Sequence, residues 1–89
     1  MEFEFDERKS QSNKAKHGID FVEAKVLWED EDKLEVPARL SDEPRTVIFG
    51  KIESKIWAAV ITYRGEHIRI ISVRRARKRE VELYEGSRF

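Results

Sequence analysis

Charge and phenylalanine alternate in "EFEF" at 2–5, and that period of two puts Phe3 and Phe5 on one face of a short strand. The period then changes. Asp6 is placed to cap a helix over "ERKSQSNKAK" (7–16), which ends at Gly18, a residue free to take the left-handed conformation just past a last turn. In "IDFVEAKVLWED" Asp20 and Glu23 form an Asp-x-x-Glu capping box and Ile19 can staple onto Ala24. Ala24, Leu27 and Trp28 form its buried stripe, so the pattern predicts a second helix and, with the first, an N-terminal helical hairpin. The acidic connection "DEDKLEVPARLSDEPR" holds a short strand around Leu34 to Val36, confined to a sheet edge by Pro37.

The second half reads as strands. "RTVIFGKI" (45–52), "KIWAAVITY" (55–63) and "EHIRIISVR" (66–74) are rich in branched and aromatic residues, and Glu53-Ser54 and Arg64-Gly65 are short enough for hairpins. Apolar residues occur at both parities in the last two strands, so both sheet faces are at least partly covered, one by the helical hairpin and the other by a C-terminal helix or a partner. That helix is "ARKREVELYEG", ending at Gly86. The reading is a single α+β domain over residues 1–89, of order βααβ(β)ββα, with a mainly antiparallel sheet.

Composition narrows this picture. With 89 residues, 39% apolar and 40% charged, the core is small and stability marginal, so a partner covering apolar surface would help. There is no cysteine, and the spacing of His17 and His67 matches no ligand motif, so neither a metal nor another cofactor is expected. The acidic N-terminus does not resemble a signal peptide and no apolar run approaches membrane length, so a cytoplasmic protein is expected.

The formal net charge of zero conceals an imbalance: residues 1–44 hold 13 acids and 7 bases, residues 45–89 hold 11 bases and 5 acids. Arg69, Arg74, Arg75, Arg77, Lys78 and Arg79 place six cations within eleven residues, which points to a polyanion as partner. Strict alternation sends Arg69 and Arg75 to one face of the strand and Arg74 to the other. The first helix carries no apolar stripe: Lys9, Asn13, Lys16 and His17 share an arc of about 100°. That face is buried or ligand-facing and bonded to the sheet; the alternative is that Lys16 and His17 merely complement the negative end of the helix dipole next to Gly18. In the last helix Glu80 sits on the face of Ala76, Leu83 and Tyr84, where a carboxylate needs a cation. It forms a structural ion pair with a nearby arginine, or it orients a catalytic one or takes part in proton transfer.

"FDERKSQSNKAKHGIDFVEA" (5–24), Arg45 with Gly50, and "IRIISVRRARKREVELYE" (68–85) together resemble the BrnT family of toxins of bacterial type II toxin-antitoxin systems. The sequence departs from that pattern at Phe5, where tryptophan is usual, at Val73 in place of alanine, and at Arg77 in place of threonine. The resemblance implies a RelE-like fold, ribonuclease activity, an RNA substrate, and a BrnA-like ribbon-helix-helix antitoxin through which alone DNA is contacted. Metal-independent RNA cleavage needs a base for the 2′-hydroxyl, cations for the phosphate and an acid for the leaving oxygen. The candidates are Lys16 or His17 for proton transfer, Arg74 with Arg45 or Arg69 on the phosphate, and Glu80 orienting an arginine. Tyr84 would stack on a base or donate a proton, and Lys9, Asn13, Arg75 and Arg77 complete the RNA surface. The alternative is a module that binds nucleic acid or protein through the arginine cluster without chemistry.

Overall fold

The computed structural model describes residues 2–38 and 43–86; residues 39–42 of the acidic connection lie outside the described part. The chain runs β1 (Glu2–Glu4), α1 (Glu7–His17), α2 (Phe21–Ala24), a 3-10 helix (Lys25–Glu29), β2 (Leu34–Ala38), β3 (Arg45–Ile52), β4 (Lys55–Arg64), β5 (His67–Arg75) and α3 (Lys78–Gly86). One sheet has the order β1-β5-β4-β3-β2. The β2–β3, β3–β4 and β4–β5 pairs are antiparallel, while β1 lies parallel to the start of β5, with Phe3 beside Ile68. Pro37 therefore stands on an outermost strand, where its missing N–H costs no ladder bond.

The helical hairpin is not formed as expected. Asp6 caps α1, Gly18 ends it at φ 80, and Asp20 and Glu23 form both halves of a capping box. The second arm, however, is one α-turn running directly into a 3-10 helix. Phe21, Ala24 and Leu27 are all fully buried, and their spacing of three matches the three residues per turn of a 3-10 helix. This segment presses onto β3 at Gly50, where an added Cβ would lie 2.9 Å from Leu27 Cδ2 and 3.3 Å from the Leu27 carbonyl oxygen.

Two cores result. On the face carrying α1, α2 and the 3-10 helix, Phe21 and Leu27 pack with Ile48, Ala59, Ile61, Ile68, Ile70 and Val73, flanked by Phe3, Phe5, Trp28 and Trp57. On the opposite face α3 lays Tyr84 and Val81 over Phe49, Ile56 and Ala58. Each fully buried apolar side chain contributes about 1.5–3 kcal/mol. The first cluster is therefore the main source of cohesion.

Candidate functional site

The polar helix α1 is held by hydrogen bonds. Ser10 and Asn13 are buried in it, and Ser10 Oγ accepts the Phe21 N–H at 2.9 Å. Asn13 Nδ2 donates to the carbonyls of Ile19 and Val73, both at 2.8 Å, and its Oδ1 accepts the Val73 N–H at 3.1 Å. One side-chain amide thus takes both backbone groups of Val73, as a neighbouring strand would. β1 pairs with β5 only at 67–69, so Asn13 replaces the missing strand beyond it and closes an otherwise open edge. Asn13, a candidate RNA contact on sequence grounds, is instead committed to the protein.

Fixing Asn13 places its helical neighbours. Lys9, Ser12, Asn13, Lys16 and His17 meet Ile71 and Ser72 around a shallow cleft of about 200 Å³. Lys9, Lys16 and His17 were expected to act together; Ser12 and Ser72 were missed. The helical wheel places Ser12 beside Lys16, about 40° outside the arc of Lys9, Lys16 and His17, whereas nothing in the sequence brings Ser72 there.

A bulge decides which arginines join them. Val60 pairs with Ser72 but Ile61 pairs with Ile70, so Ile71 is an extra residue in β5. Because side chains alternate with period two, one inserted residue inverts every later position. Arg69 opposes Thr62 and Arg74 opposes Ala58, so these two arginines share the face away from α1, with Ser72 between them. Arg75 opposes Trp57 on the α1 face. The expected grouping of Arg69 with Arg75 against Arg74 is corrected on this ground.

Arg74 and Glu80 form the ion pair anticipated for the last helix. Nη1 reaches Oε1 at 2.7 Å and Nη2 reaches Oε2 at 2.9 Å, while Nη1 also donates to the Arg75 carbonyl at 3.3 Å. The edge formed by Nε–H and the second Nη2–H points away from the carboxylate and remains for another acceptor. Glu80 also accepts the Arg77 N–H at 2.8 Å, capping the start of α3. The Arg74 hydrogen bond, above all, holds Glu80 down to about 2 from 4.5, and Arg74 is raised in return.

Other candidates fall elsewhere. Tyr84 is 1% exposed and donates to Asp30 Oδ2 at 2.6 Å. It is a tether between α3 and the segment before β2, so neither base stacking nor proton donation follows from its position. Arg77 is exposed at the start of α3. Arg45 lies on β3, away from the cleft, near a Glu43 carboxylate at 3.8 Å. Its Nε is buried without a hydrogen-bond partner among the described residues. Thr62, next to Arg69 across the β4–β5 pair, donates to the Pro44 carbonyl at 3.1 Å, which brings the Arg45 end of β3 toward Arg69.

Among the described residues no three of His, Asp and Glu come together as a metal site, and no helix is long and apolar enough to cross a membrane. The arrangement is a strand edge flanked by cations: Lys9, Lys16 and His17 on one side, Arg69 and Arg74 on the other. Among curated proteins none matches the chain closely enough to be called a relative. A family model does match, over residues 5–80, and its description is "Ribonuclease toxin, BrnT, of type II toxin-antitoxin system".

Proposed function

The chain belongs to the BrnT family of ribonuclease toxins of type II toxin-antitoxin systems, and from that premise we propose that it cleaves RNA without a metal at the edge of β5 beside α1. The observation carrying this reading is the cleft in which Lys9, Lys16 and His17 meet Ser72, with Arg74 on the same strand face as Ser72. The scissile phosphate lies against the Ser72 edge. Arg74 presents its free Nε and Nη2 hydrogens to the phosphate oxygens, and the end-on pair with Glu80 keeps that edge aimed. Arg69 extends the cationic surface along the strand.

Lys16 or His17 removes the proton of the ribose 2′-hydroxyl. The 2′-oxygen then attacks phosphorus, the bond to the 5′-oxygen breaks, and the leaving oxygen takes a proton from the other group. The products are a 2′,3′-cyclic phosphate and a 5′-hydroxyl. The arginines stabilise the charge that builds on the phosphate oxygens, a contribution on the order of several kcal/mol when made only in the transition state.

The antiparallel sheet with helices on both faces suits a RelE-like toxin. Its partner in this reading is a BrnA-like ribbon-helix-helix antitoxin, which covers the basic edge in the cytoplasm and alone contacts DNA. The test is incubation of purified protein with end-labelled RNA, with and without EDTA. Cleavage that survives EDTA and leaves cyclic phosphate ends is expected. Lys16→Ala with His17→Ala should reduce the rate at least a hundredfold while shifting stability by no more than about 1 kcal/mol. RNA retention without cleavage would instead assign the edge to binding alone.

A further inference from the structure

Beyond the cleft the last turn of α1 borders a second hollow. Gly18 and Ile19, Glu23 of α2, and Ile52, Glu53, Lys55 and Trp57 from the β3–β4 hairpin enclose about 180 Å³. His17 lines the first cleft and Gly18 the second, so the two adjoin through consecutive residues. The hollow is smaller than sites for drug-sized molecules and suits one flat group.

Its walls have the chemistry of a nucleobase pocket. Trp57 offers an indole wall at the hollow, and the Arg75 guanidinium lies over that ring, 5.5 Å from its centroid. An aromatic ring beside arginine is a stacking platform of the kind that holds unstacked RNA bases. Glu53 and Lys55 are exposed at the rim. Glu23 is already engaged, by Lys14 Nζ at 2.8 and 3.0 Å and by the Asp20 N–H at 2.9 Å, whereas the Glu53 carboxylate makes no hydrogen bond or ion pair among the described residues.

Glu53 also has an unusual backbone. It sits at φ 59, the one non-glycine residue with positive φ among those described, at a two-residue turn where glycine or asparagine is favoured. A glutamate held there places its carboxylate on the rim at a conformational cost. Guanine alone among the RNA bases presents two adjacent donors, N1–H and the N2 amino group, to a pair of carboxylate oxygens. Adenine, cytosine and uracil each present an acceptor to one of those oxygens.

We infer that the hollow between the end of α1 and the β3–β4 hairpin is a specificity subsite that takes a guanine base of the RNA strand against Trp57, with Glu53 reading its Watson–Crick edge. This rests on the reading of the adjoining cleft as the cleavage site. Lys55, exposed at the rim, faces a neighbouring phosphate.

Two measurements test it. First, the wild type is given a randomised RNA pool and the new 5′ ends are sequenced. Guanine should be enriched at least tenfold at one position within two nucleotides of the cut. Glu53→Gly relieves the positive φ, so its melting temperature should rise, yet the guanine enrichment should fall to about onefold. Second, the two indole N–H resonances are followed while 5′-GMP, 5′-CMP or inorganic phosphate is added. The Trp57 signal should shift with 5′-GMP and not with the others, and Trp28 should stay in place. Cleavage without base preference, or a Glu53→Gly variant that keeps the preference, overturns the subsite and leaves the ribonuclease reading standing. A Trp57 shift specific to 5′-GMP in a protein that cleaves no RNA supports the pocket and sinks the cleavage mechanism.

Discussion

Asn13 shows how much one side chain decides. Its amide satisfies Val73 N–H, Val73 C=O and Ile19 C=O, joining residues 60 apart in the chain at a site only 7% exposed. Asn13→Ala would leave three buried backbone groups without partners, each costing about 1–3 kcal/mol before local relaxation. We expect urea unfolding to show a loss of about 3 kcal/mol or more. Lys16→Ala and His17→Ala, whose side chains stand at the cleft rim, should lie near the ordinary surface value of about 0.5 kcal/mol. A loss at Asn13 no larger than at Lys16 would show that the edge of β5 needs no cap. The sequence exposed the oddity, a helix without an apolar stripe, and allowed a polar face bonded to the sheet. It did not separate Asn13, which serves the fold, from Lys9, Lys16 and His17, because all four share one arc and only the position of β5 distinguishes them. Glu80 was easier to read, since a carboxylate within an apolar stripe demands a cation and Arg74 was near in sequence. The tie between Tyr84 and Asp30 spans 54 residues and left no local trace.

At the scale of elements, α3 is docked by a modest apolar patch and by polar tethers that include Glu80 to Arg74 and Tyr84 to Asp30. The first is sensitive to acid. Glu80 ionises at about 2 in the folded chain against 4.5 as its ordinary value. A lowered carboxylate contributes stability above the ordinary value and loses it as pH falls through the folded one. Between pH 4.5 and about 2 the hold on α3 should therefore weaken, visible as faster amide exchange in α3 than in β4. In Glu80→Gln that additional acid dependence should be absent, and α3 should already exchange faster at pH 7. Equal exchange in variant and wild type at neutral pH would mean that the helix is held without the Glu80–Arg74 pair. Element types were legible because alternation, caps and hairpin turns are local signals. The 3-10 helix and the bulge were not. A spacing of three among Phe21, Ala24 and Leu27 also fits an α-helical stripe over about two turns, and Ile71 follows Ile70 in a strand with apolar residues at both parities, so nothing marks it as extra.

Across the whole molecule the sheet order separates charge. Glu29 to Asp32 lead into β2 at one edge, while the arginines of β5 stand next to the other, so the imbalance between the halves of the sequence becomes a gradient across the sheet. Such a gradient orients an approaching polyanion toward β5. It also gathers arginines on β5, among which Arg74 is paired with Glu80 and Arg69 lies beside Glu4 of β1, in a chain too small for a large core. α3 covers only part of its sheet face, and Val36 and Val47 at the margin of that cluster are only partly buried. We therefore expect the free chain to be marginally stable and a BrnA-like antitoxin to stabilise it by mass action. At one hundred times its dissociation constant a ligand specific for the folded state adds about 2.7 kcal/mol. For a domain of this size that is roughly 11–22 °C in melting temperature. The rise should depend on antitoxin concentration, and it should shrink with added salt if acids of the antitoxin cover the β5 edge. Thermal melts of the toxin alone and with increasing antitoxin, at low and high salt, measure all three. A free chain melting above about 90 °C would remove the need for a partner. A rise unaffected by salt would move the antitoxin from the basic edge to the apolar margin beside α3.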